Sequence, residues 1–150
     1  MEGRLMAPLQ KRAFYGLIFG VVWTIAIIVV FLLEGGAPAF NKDQTFRLTM
    51  DGIWIGGLVV YLALLYPILR KRNLVDERDK LIYDRSPRTQ WLAVIFALVA
   101  WVIGLAEGYH TQGQVPVVFL YLMFFSVLIV SAIAQCIGIL LGYWEMNRNG

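Results

Sequence analysis

The chain has 150 residues, of which 59% are apolar and 15% charged, with a formal net charge of +3. Soluble domains run at roughly 45–50% apolar and about 25% charged. One domain of this length cannot hide so much apolar surface from water, so lipid must serve as a second solvent. The basic residues are segregated between long apolar runs, which excludes a nucleic-acid reading and points to orientation in a bilayer.

Arg4, Lys11 and Arg12 precede the first apolar run, and Pro8 argues against a helix from the very start. Residues 14–33 carry no charge and are long enough to cross about 30 Å of hydrocarbon, so they read as an uncleaved first span. Glu34-Gly35-Gly36 and Pro38 end it. Residues 35–50, with Lys42, Asp43 and Arg47, read as an external loop, and Asp51 as the N-cap of a second span over 52–69. Pro67 near the end of that span is tolerable as a local kink.

Residues 70–90 are polar and hold seven of the thirteen Lys and Arg residues and four of the ten acids. The part between the spans, 70–88, reads as a cytoplasmic connector. Asp76 and Asp79 suggest the start of a short interfacial helix, with Leu74, Leu81 and Ile82 on a face that lies on the headgroups. Asp76 and Lys80, and Asp84 and Arg88, are spaced as i, i+4 pairs. Ser86-Pro87 reads as a break followed by a new helix start. The connector is either a topological anchor or a mixed-charge handle for a cytoplasmic partner.

A third span follows over 89–107, then a short turn. The fourth segment, 115–144, is too long for a perpendicular span and must tilt or stand out of the membrane. With the N-terminus inside, Arg4, Lys11, Arg12, the seven connector charges and Arg148 are cytoplasmic, and Lys42 and Arg47 are external. The expected fold is an all-α integral membrane four-helix bundle, one domain made of two transmembrane hairpins with both termini cytoplasmic. Glu34-Gly35 and Glu107-Gly108 end the outbound helices alike, which leaves a distant tandem duplication open.

Each span carries a Gly-xxx-Gly pair: Gly16/Gly20, Gly52/Gly56, Gly104/Gly108 and Gly138/Gly142. Such pairs let two helix backbones approach closely. Their placement predicts contact between first and fourth spans near the inner side. It predicts contact between second and third spans near the outer side, within the chain or across a dimer.

Chemistry is sparse. Glu107-x-x-His110 has the spacing of carboxylate-bundle metal ligands, with Glu34 and Asp51 as the further carboxylates such a site needs. The same four residues could line an outer vestibule for a cation or proton, or simply be solvated residues at helix ends, which is the preferred reading. Gln135, mid-span, reads as an interhelical hydrogen bond. Cys136 is the single cysteine, so no intrachain disulfide or cysteine metal cluster can form. One histidine excludes bis-histidine haem within a single chain. No phosphate loop or nucleophile motif is present, and no cofactor is expected.

The segment 75–82, straight after one span and before another, resembles a prokaryotic family of small multi-pass membrane proteins of unknown function. Their signature is a DERD-x-x-I segment, here Asp76, Glu77, Arg78, Asp79 and Ile82. The resemblance implies a place in a prokaryotic cytoplasmic membrane and carries no activity. The expected role is a non-catalytic subunit whose partners are the lipid bilayer and either copies of itself or a larger membrane complex. The alternatives are a small ion, proton or solute transporter and an accessory subunit of a redox complex near a quinone or haem.

Overall fold

A proline lacks the N–H that a first helical turn cannot use, and its fixed φ suits that turn. Accordingly the first helix, α1 (Pro8–Leu33), starts at Pro8 itself, and Lys11 N–H donates to Ala7 O at 2.9 Å. The helix thus begins more than a turn before the expected start at residue 14. The computed structural model describes residues 7–70 and 77–148, with the side chains of 65–70 and 78 outside the description. Leu74 and Asp76 therefore lie outside the described residues, as do the side chains of Tyr66 and Pro67.

α1 ends where Gly35 and Gly36 take positive φ, 93° and 66°, a backbone shape that costs glycine least. A single turn and a half, α2 (Gly36–Phe40), leads to α3 (Gln44–Arg70). The expected loop over 35–50 is thus largely helical. Asp43, not Asp51, caps α3: its Oδ1 accepts the N–H groups of Thr45 at 2.8 Å and Phe46 at 3.3 Å. The reason is a seam at helical spacing. Phe46, Met50, Trp54 and Tyr61 are all buried, and Gly57 lies on the same line.

α4 (Glu77–Tyr109) and α5 (Val117–Arg148) are each about 50 Å long at 1.5 Å per residue. They form an antiparallel hairpin closed by a turn in which Gly113 has φ 66°. Pro87 sits inside α4, so the expected break at Ser86-Pro87 does not occur. Proline deprives the carbonyl four residues back of its donor. That carbonyl is Tyr83 O, and the Ser86 hydroxyl donates to it at 2.9 Å, which keeps the helix continuous.

Among the described residues there is no strand, and four helices are long and apolar enough to cross a membrane. α5 is the axis. α4 packs along one side of it and α1 along another, while α3 packs on α1. α3 reaches α5 by long side chains, such as Trp54 stacked on Phe125 at 4.5 Å. Among the described residues α3 and α4 share no packed interface, and the bundle is open between them there. One end, where α2 and the turn after α4 lie, is filled by aromatic residues including Trp23, Phe40, Phe46 and Trp54. At the other end, Leu9 and Ala13 of α1, Ile82 of α4, and Ile139 and Tyr143 of α5 form a second cluster. The outward surface is hydrocarbon: Leu33, Phe96 and Val117 are each more than 70% exposed. Water would not tolerate so much exposed apolar surface on a monomer.

Candidate functional sites in the bundle

Three residues of the connector are packing residues. Asp79, Ile82 and Ser86 are spaced along one face of α4 and all are buried. The Tyr143 hydroxyl of α5 donates to Asp79 Oδ1. Ile82 fits against Gly142, where a Cβ would stand 2.8 Å from Ile82 Cγ2, and a Cβ at Gly138 would stand 3.2 Å from the Ser86 carbonyl oxygen and from Thr89. Leu81 is 53% exposed and Ile82 1%, so the two do not share a headgroup-facing side. The short interfacial helix is instead the first turns of α4. Glu77 is exposed, and the Arg78 side chain and Asp76 fall outside the described set.

The glycine pairs divide into two kinds. At Gly16 and Gly20 of α1 the space of a side chain is taken by Cys136 Sγ and Ile133 of α5, which would lie 2.9 and 2.8 Å from a Cβ at those positions. Gly138 and Gly142 meet α4 rather than α1. Gly52, Gly56, Gly104 and Gly108 meet nothing within 4 Å. Among the described residues, therefore, the second and third spans make no glycine contact with each other. A fifth seated glycine, Gly57, belongs to none of the pairs. It gives room to Trp23, whose indole N–H donates to Ile53 O at 3.1 Å.

The four residues considered for an outer cluster sit in different local settings. Glu34 is exposed at the end of α1, and Glu107 is exposed near the end of α4. His110 lies one residue past the end of α4, at the start of the turn, and is exposed. Asp51 is partly buried and accepts the Tyr121 hydroxyl at 2.6 Å. Among the described residues, no three His, Cys, Asp or Glu side chains gather as metal ligands.

Polar side chains instead tie helices to one another in pairs. Tyr61 of α3 donates to Gln135 Oε1 of α5 at 3.0 Å, Gln90 of α4 donates to Ser131 of α5 at 2.6 Å, and Trp101 of α4 donates to Ser126 of α5 at 2.8 Å. Such bonds are about 0.6 kcal/mol each on average between membrane helices. They converge on α5, which fixes it as the axis. Sequence reading picks out Gln135 but misses its partner, because a tyrosine in an apolar run reads as bulk. The Tyr61–Gln135 and Gln90–Ser131 pairs border a cleft of about 140 Å³ where α3 and α4 stand apart. Cys136 is a buried free thiol facing Gly16.

No family model matches the chain, and no curated protein or solved structure matches it significantly. The likeness of the segment 75–82 to a membrane-protein family stands on those residues alone.

Proposed function

We propose that the chain is a non-catalytic, multi-pass subunit of a prokaryotic cytoplasmic membrane, assembling laterally with copies of itself or a larger membrane complex. The observation that carries this is the contrast among the glycines. Gly16, Gly20, Gly57, Gly138 and Gly142 are seated against another long helix, while Gly52, Gly56, Gly104 and Gly108 present small, exposed surface that no described residue covers. Small residues drive close helix association in lipid, where hydrophobicity supplies no force between helices. The gap between α3 and α4 leaves the flanks that carry them accessible. Orientation follows the charges. Lys11, Arg12, Lys80, Arg85, Arg88 and Arg148 lie toward the end formed by the start of α1, the start of α4 and the end of α5. Under the positive-inside rule that end is cytoplasmic.

The test is the mass of the protein extracted in mild detergent from its own membrane. An oligomer or a co-purifying membrane partner is expected. Gly56→Ile and Gly104→Ile should release it while leaving the helical content and thermal midpoint of the single chain unchanged. A lone monomer in native extracts would sink the proposal.

A further inference from the structure

α1 and α5 meet closely at Gly16 and Gly20, where Cys136 and Ile133 take the place of missing side chains. Farther along, toward Leu33, the same two helices carry bulky residues and enclose a groove of about 380 Å³. Ile28 and Leu32 of α1, Val130 of α5 and Trp101 of α4 are among its walls. Its volume falls within the roughly 300–1,000 Å³ of small-molecule sites. It runs along α1 from Thr24 to Leu32, about 12 Å at 1.5 Å per residue.

The groove offers no polar handle. Thr24 spends its hydroxyl on Gly20 O at 2.7 Å, Ser126 on Met123 O at 3.0 Å, and Trp101 its N–H on Ser126 at 2.8 Å. Trp54 also lines the groove, but its N–H is covered by protein atoms and meets no acceptor. A water needs two to four polar partners, which this wall does not give. A haem or quinone ring needs a ligand or a donor, which it also lacks. Hydrocarbon needs only dispersion contacts. We propose that the groove seats a single acyl chain of a bilayer phospholipid, wedged between α1 and α5 beside Trp101. The chain fills the space beside the glycine contact, and it lies along the helices as bilayer chains do. This inference rests on the reading that the four helices span a bilayer.

Native mass spectrometry of the full chain in mild detergent counts the retained phospholipid. One phospholipid per chain should persist through delipidating washes. Val130→Phe, which puts a ring into the groove, should lower the retained fraction about tenfold. Ile28→Phe fills the same space from α1 and serves if Val130→Phe does not fold. Phospholipid with brominated chains should quench tryptophan fluorescence saturably in the native chain, and this saturable part should vanish in the filled variant. No retained lipid in the native chain, or equal retention by native and filled chains, overturns the acyl-chain site. Alkaline extraction of the source membrane tests the spanning reading separately. A chain released by carbonate removes that reading, whereas a chain that resists carbonate but holds no lipid removes only the site.

Discussion

Gly56 and Gly57 are neighbours on α3 with opposite surroundings, and replacing each by alanine separates packing from helix propensity. Both changes gain about 1 kcal/mol of intrinsic helix preference. At Gly56 the new methyl meets nothing within 4 Å. At Gly57 it would stand 2.0–2.4 Å from three atoms of the Trp23 indole, far inside contact distance, and the ring must swing away. Overpacking costs about 1–3 kcal/mol. The displaced indole also loses its bond to Ile53 O, about 0.5–1.5 kcal/mol, and its edge contact with Trp54, centroids 5.8 Å apart, another 0.5–1.5 kcal/mol or so. The two variants should therefore differ by about 2–6 kcal/mol, with Gly56→Ala neutral or stabilising and Gly57→Ala clearly weaker. Reversible unfolding in mixed micelles, followed by tryptophan fluorescence and circular dichroism, measures both. Equal midpoints would refute the placement of Trp23 against α3.

Three further substitutions probe the ends of the bundle. Ile82→Ala should destabilise by about 2–5 kcal/mol, read as an earlier unfolding midpoint, because Ile82 is 1% exposed against Gly142. Tyr143→Phe removes the donor to buried Asp79 and should cost about 1–3 kcal/mol; Asp79→Leu in the same background should recover part of the loss. Asp43→Ala removes the α3 cap and should cost about 1 kcal/mol, seen as faster amide exchange confined to the first turn of α3.

The long apolar runs are legible in the sequence because nothing but a helix can carry twenty uncharged residues across hydrocarbon. The start of α3 is not, because Phe46 and Met50 are scattered among Gln44, Thr45, Arg47 and Thr49, and Leu48 between them faces outward. Two buried residues at i and i+4 disappear in a polar window. The continuity of α4 is hidden for a different reason. Ser86-Pro87 carries the signal of a helix start, and only the hydroxyl bond to Tyr83 O shows that the same serine repairs the proline's missing link. The glycine pairs are legible as spacing but not as contacts. Spacing says which residues share a face, and only the arrangement around α5 says which face is covered. Gly57 escapes notice because it belongs to no four-residue pair; it belongs to the Phe46–Tyr61 seam. The outer polar residues are legible only as helix-end positions: the sequence does not show that α4 ends at Tyr109, which leaves His110 in the following turn.

The DERD-x-x-I segment takes on a different physical meaning once α4 is continuous. Asp79 and Ile82 face inward onto Tyr143 and Gly142, so those two positions are constrained by packing, whatever the protein binds. A partner at this end must read the other side of the helix. There Lys80, Asp84 and Arg88 recur every four residues, all exposed, and i, i+4 positions form one stripe along a helix. The stripe is mounted on a helix pinned to α5 and α1, so little ordering entropy is left for a partner to offset on binding. The two faces should separate by experiment. Charge reversal at Asp84 should leave the unfolding midpoint within about 0.5 kcal/mol of native and change only what co-purifies. Changes at Ile82 should lower the midpoint first and lose partners as a consequence. If Asp84→Lys destabilised the fold as Ile82→Ala does, the stripe would belong to the core and the division of faces would be wrong.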